Sequence, residues 1–363
     1  MTPRRVPFTT LVPRDDRADI DRAIARVVAS GWFVLGPEVE AFEAEFASAM
    51  GASHAVGVGT GTDAIALILR ALGIGAGDEV ITTPLSAAYT ALAILMAGAT
   101  PVFADIDPVR LTIDPDRIAA AIGSRTRAIL PVHLYGQPAD MTAIGRVAAR
   151  YNLAIVEDCC QAHLATAEGR PVGTIGVAGA FSFYPTKNLG ALGDGGAVVS
   201  NDQALTERIA RLRNGGQTDR YHHGEAGINS RLDELQAAIL RARLPRLQAW
   251  TGERRARAAQ YRALLATDSG LTLPPECDAG HVYHLFVVRT AERRALQARL
   301  ASHHVETLIH YPVPIPRQPA FAALKPSEHP VASRVCDEVL SMPLHPGLSA
   351  ADVEYVAGVV KGH

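Results

Sequence analysis

Cysteine is scarce in this 363-residue chain: there are four, and no two stand in a CxxC spacing. That removes the paired-cysteine zinc sites, and no other residue pattern supplies a metal site. Cys159 and Cys160 are adjacent and cannot close on each other without strain. Free thiols fit a reducing cytoplasm. Net charge is also nearly absent, with 35 basic against 37 acidic residues giving −2, so nothing electrostatic points to nucleic acid or an anionic membrane as partner. No apolar run follows the arginines of MTPRRVPFTTLVPRDD, which therefore does not read as a signal peptide. Missing too is a GxGxxG turn between an early strand and a helix with an acidic residue about 20 positions on, which argues against a nicotinamide oxidoreductase.

One stretch lacks charge altogether. Residues 80–104 are long enough to cross a membrane, but they contain Pro84, Gly98 and Pro101 and begin with Thr and Ser. They read instead as a strand (79–83), a helix (87–97) and a second strand (100–104), since strands covered on both faces are continuously apolar.

What is present is an ordinary globular composition, 48% hydrophobic and 20% charged, on a chain long enough for a large domain and an appended smaller one. Helical spacing over 16–29, 38–50, 62–72 and 141–151 alternates with strands at 54–58, 126–132, 153–157, 181–183 and 196–200. That alternation predicts an α/β fold with a mostly parallel sheet flanked by helices. Residues 232–264 read as a long helix broken or kinked at Pro245. A strand (282–289), a helix (293–303), a strand (307–311) and the Pro-rich loop 312–319 then suggest a smaller α+β C-terminal domain. The expected division is 1–245 and 246–363. Arg254-Arg255 and Arg293-Arg294 lie in Ala- and Leu-rich helical stretches and read as solvated faces. His222-His223 and His303-His304 read as solvated or loop residues rather than metal ligands.

Four segments carry candidate chemistry. Gly59-Thr60-Gly61-Thr62-Asp63-Ala64 follows a strand and opens a helix, where free N–H groups suit an anion; a Gly-rich turn with Thr62 as N-cap is the plain alternative. In VEDCCQAH (156–163) a strand ends on Asp158, with Gln161 three residues later. A carboxylate there faces the crevice in which α/β enzymes bind ligands, or it caps a helix. His163, close to Asp158 in sequence, lies near that crevice or packs. In SFYPTKNLG (182–190), followed by GDGG (193–196), Lys187 lies in an uncharged stretch after a strand, where desolvation makes an amine nucleophilic; Ser182 is placed to offer a hydroxyl to a phosphate. In GINSRLDELQ (227–236), Asn229 and Arg231 precede a helix and either cap it or reach an anion.

In this order and spacing, VEDCCQAH, SFYPTKNLG, GDGG and NSRLDELQAA resemble the DegT/DnrJ/StrS-type nucleotide-sugar aminotransferases, fold type I enzymes dependent on pyridoxal 5'-phosphate. The resemblance runs from SGWFVLGP (30–37) through HLYGQ (133–137) and YHLF (283–286) to LSMPLHP (340–346). It implies that Lys187 holds the cofactor as a Schiff base, that Asp158 pairs with the pyridine nitrogen, and that Gln161 lies near the ring hydroxyl. Gly61, Thr62 and Ser182 would bind the phosphate. Asn229 would reach the phosphate in the neighbouring subunit, making a homodimer with shared active sites. Arg231, Tyr311 and Arg317 would face the substrate, a nucleotide-linked keto-sugar, with glutamate or glutamine as amino donor. The segments at 34–37 and 133–137 lean toward 3-keto-6-deoxy sugars. Some relatives have lost the lysine and act as dehydratases; its presence argues for transamination, against a sensor that keeps the cofactor without turnover. Two positions depart from the family. Ala88 stands where relatives stack an aromatic on the ring, with Tyr89 one residue off, and Pro316 stands where many carry histidine.

Overall fold

The computed structural model describes residues 4–13, 15–267, 270–324 and 327–362. The chain begins with helices α1 (Arg17–Ser30) and α2 (Pro37–Ala49), then alternates β1 (His54–Val58), α3 (Gly61–Ala71), β2 (Glu79–Thr82), α4 (Tyr89–Met96), β3 (Thr100–Phe103), α5 (Pro115–Ala121), β4 (Thr126–Leu130), α6 (Met141–Tyr151) and β5 (Ala154–Asp158). A two-residue hairpin, β6 (Thr166–Ala167) and β7 (Arg170–Pro171), leads to β8 (Ala178–Ser182), β9 (Gly196–Ser200) and α7 (Gln203–Leu212). After a second hairpin, β10 (Gln217–Asp219) and β11 (His222–His223), come α8 (Glu234–Arg243) and α9 (Leu247–Leu265). The remainder is β12 (Phe286–Arg289), α10 (Arg293–Ser302), α11 (Pro330–Glu338), β13 (Val339–Met342) and α12 (Ala350–Lys361).

Seven strands form one sheet in the order β1-β9-β8-β5-β4-β2-β3. From β8 to β3 every neighbour is parallel, whereas β9 runs antiparallel to both β1 and β8. Successive strand residues point to opposite faces. Ile81, Ile129, Phe181 and Val199 therefore enter a core with Phe42 and Phe46 of α2, while Val80, Leu130, Ala180 and Val198 pack against Ile65, Leu67 and Leu69 of α3. Both faces are covered, which is why residues 80–104 are uncharged: they split into β2, α4 and β3. Among the described residues no helix is long and apolar enough to cross a membrane.

The expected break near Pro245 is a 3-10 turn at Leu244–Arg246 between α8 and α9. Beyond it, Tyr261 of α9, Phe286, Leu340, Met342, Val356 and Val360 build a further core that also takes in Val6 from the start of the chain. Two expectations need correcting here. Only Phe286–Arg289 of the 282–289 stretch is strand, paired with β13. The 307–311 strand reduces to a single bridge, Leu308 to Ser341.

Candidate active site

Asp158 ends β5 at the C-terminal edge of the parallel strands and is 5% exposed. The Thr90 hydroxyl donates to its Oδ2 at 2.7 Å and the Cys160 N–H to its Oδ1 at 3.1 Å. It forms no ion pair among the described residues. A buried carboxylate without a cation is costly unless something positive is brought to it.

Beside it lies the N-terminus of α3. Thr60, not Thr62, is the N-cap, accepting from the Asp63 N–H at 3.0 Å. Thr62 is thus left out of the cap, and the first N–H groups of the helix have no intrahelical acceptor. A Cβ added to Gly61 would stand 2.6 Å from Cys160 Sγ and 2.8 Å from Ser182 Cβ. Gly61, Cys160 and Ser182 therefore close a cup at the positive end of the helix dipole. Ser230 ties this end to the segment before α8: its hydroxyl accepts from the Gly59 N–H at 2.9 Å and donates to Asp63 at 2.8 Å.

Lys187 follows β8 in a loop that folds back on itself. Its N–H donates to the Tyr184 carbonyl at 2.8 Å, and Ala191 N–H to the Phe183 carbonyl at 2.7 Å. Burial lowers the Lys187 pKa, while the nearby Cys160 and Asp158 act against that shift. The amine is therefore in electrostatic reach of the β5 carboxylate and poised toward its nucleophilic form. Gln161 is fixed at both ends: its Oε1 accepts from the Tyr135 N–H at 2.7 Å, and its Nε2 donates to the Tyr311 hydroxyl at 3.0 Å. Tyr311 is thereby drawn to the Asp158 side of the site.

Other predicted residues stand apart in the single chain. Asn229 is exposed, and Arg231 donates to Asn214 Oδ1 at 2.8 Å. Arg317 is exposed and paired with Glu328 at 2.7 Å. Ala88 caps α4 and packs beside Phe103, Ile315 and Phe321, while Tyr89 is 65% exposed and turned to solvent. His163 is fully buried among Phe46, Phe181 and Phe183, and burial lowers its pKa to about 3. Three ligand-type side chains do meet, His133, Glu157 and Cys159. Two of them are already committed. His133 Nε2 lies 3.0 Å from Glu157 while its Nδ1 accepts from Ala139, and the Glu157 carboxylate also accepts from Gly173, Ile175 and Gly176.

Sequence reasoning missed Thr90 and Tyr135, which hold Asp158 and Gln161. It also misjudged Arg254, while Arg255 is exposed as expected. Arg254 is 5% exposed and bonded to backbone carbonyls, and Arg255 donates to the carbonyls of His281 and Ala279. The donor set nevertheless fits the expected cofactor. A buried carboxylate without a cation suits a protonated ring nitrogen, a desolvated lysine suits a carbonyl, and the unpaired N–H groups at the start of α3, beside Ser182, suit a phosphate.

Residues 14–361 match the DegT/DnrJ/EryC1/StrS aminotransferase family. The chain is 48% identical over 362 residues to the dTDP-3-amino-3,4,6-trideoxy-alpha-D-glucose transaminase of Streptomyces venezuelae, covering 98% of this chain and 96% of that protein. It is 49% identical over 363 residues to the erythromycin biosynthesis sensory transduction protein EryC1 of Saccharopolyspora erythraea, covering 98% and 99%. The crystal structure of S. venezuelae DesV in complex with a ketimine intermediate superposes with a TM-score of 0.96 at 48% identity, covering 99% of this chain and 98% of that one. This chain belongs to the DegT/DnrJ/EryC1/StrS aminotransferase family.

Proposed function

We propose that this aminotransferase uses pyridoxal 5'-phosphate to move an amino group from glutamate or glutamine onto a nucleotide-linked keto-sugar, in the making of deoxyamino sugars. The observation that carries the reading is the buried, cation-free Asp158 carboxylate within reach of the desolvated Lys187 amine. When bound, pyridoxal phosphate supplies the electron sink and carries the amino group between donor and acceptor. Asp158 keeps the ring nitrogen protonated, and Thr90 and the Cys160 N–H hold the carboxylate in place for that. Gly61, Thr62 and Ser182 receive the phosphate. Lys187 binds the cofactor covalently; once released, its amine takes a proton from the donor α-carbon and returns one to the acceptor carbon. Gln161, anchored by Tyr135, stands beside the ring.

The reading extends to assembly and substrate. Exposed Asn229 completes the phosphate site of a second copy in a homodimer, and Arg231, Tyr311 and Arg317 face the nucleotide-sugar. For Arg317 this requires release from Glu328. The chain divides functionally at 245/246, where the 3-10 turn separates α8 from α9. A 3-keto acceptor is favoured, in keeping with the 3-amino sugar in the name of the S. venezuelae relative.

The name of EryC1 keeps a second reading in view, a regulator that holds the cofactor without turnover. Purified enzyme that shows the absorbance band of lysine-bound cofactor, bleaches it with an amino donor and restores it with a nucleotide 3-keto-sugar meets the proposal. A band that never bleaches assigns the chain to regulation. A panel of 3- and 4-keto nucleotide sugars then identifies the acceptor.

A further inference from the structure

A cavity of about 280 Å³ opens between the N-terminal segment, the Lys187 loop, α9 and the turn at 345–347, with Thr10, Trp250, Glu253 and Arg254 in its wall. We propose that it is a binding site for a small carboxylate, with Arg254 as the receiving cation. Arg254 is 5% exposed and forms no ion pair among the described residues. Its Nη1 donates only to the carbonyls of Tyr283, His284 and Leu344, at 3.5, 3.2 and 3.0 Å, and its buried Nε has no hydrogen-bond partner.

Lys187 also lines the cavity, so the site adjoins the proposed cofactor lysine; the other arginine at its wall and the acids Asp15 and Asp16 are matched. Arg243 pairs with Asp16 at 2.7 Å, and Asp15 with Arg246 at 3.0 Å. The neighbouring acid, Glu253, is exposed and does not reach Arg254. A buried guanidinium met only by carbonyl dipoles is short of negative charge, and a carboxylate offers it a charge-assisted hydrogen bond. Burial lowers the Arg254 pKa to about 10, the same imbalance seen another way. The volume lies just below the usual range of ligand pockets, roughly 300–1,000 Å³, which suits a short mono- or dicarboxylate rather than a nucleotide sugar. An amino-acid donor and its keto-acid product share that chemistry. The inference rests on the proposed role of Lys187, which shares the cavity wall, and not on the identity of the sugar.

The chain has two tryptophans. In a Trp32→Phe background the remaining one, Trp250, reports from the cavity wall. Glutarate, which carries no amino group to transfer, is titrated into this holoenzyme. We expect a saturable change in Trp250 emission, absent with pentane-1,5-diol. Arg254→Met should raise the Kd on the order of tenfold or more. Thr10→Phe, which fills the cavity from the opposite wall and leaves the Arg254 carbonyl contacts in place, should do the same. Glutamate and 2-oxoglutarate separate the sources: a glutamate preference abolished by Glu253→Gln assigns the site to the donor, and equal affinity assigns it to carboxylates at large. No saturable signal with glutarate overturns the proposal. So does an unchanged Kd in Thr10→Phe, which holds even where Arg254→Met does not fold. Neither result touches the reading of Lys187 and Asp158.

Discussion

Thr90 holds Asp158: its hydroxyl donates to the buried carboxylate Oδ2 at 2.7 Å across 68 residues of sequence. The bond joins the first turns of α4 to the end of β5, so the carboxylate has one orientation. Asp158→Asn keeps shape and removes charge, and the proposed role requires turnover to fall by about 10²–10³-fold, the scale of losing one preorganised electrostatic group. Thr90→Val removes one hydrogen bond to a charged group, about 1.5–3 kcal/mol, and should lower turnover less than Asp158→Asn. Steady-state kinetics on both variants check this. Wild-type turnover in Asp158→Asn would make the residue a structural anchor.

Gly61 faces Cys160 Sγ and Ser182 Cβ at distances no added Cβ tolerates. Gly61→Ala should therefore force the cup open, at about 1–3 kcal/mol of overpacking, and weaken cofactor binding before it abolishes the fold. Equilibrium titration with pyridoxal phosphate, beside the melting temperature, separates the two effects. Unchanged affinity would place the phosphate elsewhere.

The sequence contains only three lysines, Lys187, Lys325 and Lys361, which makes the covalent assignment easy to check. Borohydride reduction of the holoenzyme should leave the pyridoxyl group on the peptide carrying Lys187. Lys187→Ala should lose both the label and the visible band. It should also lose turnover by at least the ~10²–10⁴-fold of its proton transfers alone. Label on another lysine would refute the assignment.

His163 is fully buried among three phenylalanines, and its pKa is lowered from 6.5 to about 3. Folded, the ring stays neutral at pH values where the unfolded chain takes up a proton. Its contribution to stability is thus complete above about pH 6.5 and is lost as pH falls toward 3. In that window one such group gives a slope of about 1.4 kcal/mol per pH unit. Urea unfolding between pH 7 and pH 4 should show stability declining with acid, and His163→Leu should shallow the slope by about one proton. An identical slope in the variant would mean that His163 ionises freely in the fold.

Much of this was legible in the sequence because it is local. The periodicity of 141–151, the break at Pro245 and the cluster of small residues at 59–61 depend on neighbours within a few positions. Long-range facts were not legible. Strand direction is not encoded in apolar pattern, so the antiparallel β9 looked like any other strand. Thr90 lies in an uncharged run where nothing marks it as the partner of a carboxylate 68 residues away. Arg254, set among Arg and Ala, has the local look of a solvated face; its burial arises only when α9 docks against 281–284 and 344–347.

The last prediction concerns assembly. Asn229 is exposed in the single chain, and among the described residues no side-chain hydrogen bond holds it there, whereas neighbouring Ser230 is buried and bonded to Gly59 and Asp63 at the start of α3. Exposed apolar residues flank the same region, among them Trp32, Phe33 and Val34 at 57%, 49% and 43%, and Val34 bridges to Asp233 just beyond Asn229. An exposed apolar patch beside a polar group is the kind of surface that a protein–protein contact uses. The cup of Gly61, Thr62 and Ser182 offers a phosphate dianion only uncharged donors, and further hydrogen bonds from a second chain would strengthen it. Sedimentation should therefore show a homodimer. Lys187→Ala and Asn229→Ala chains, each strongly impaired alone, should regain activity when mixed and allowed to exchange. In a shared arrangement, one of the two sites in a mixed dimer receives both an intact Lys187 and an intact Asn229. If Asn229 serves its own chain, every site in the mixture keeps a defect, and absence of recovery after verified exchange rejects the shared site while leaving the aminotransferase assignment intact.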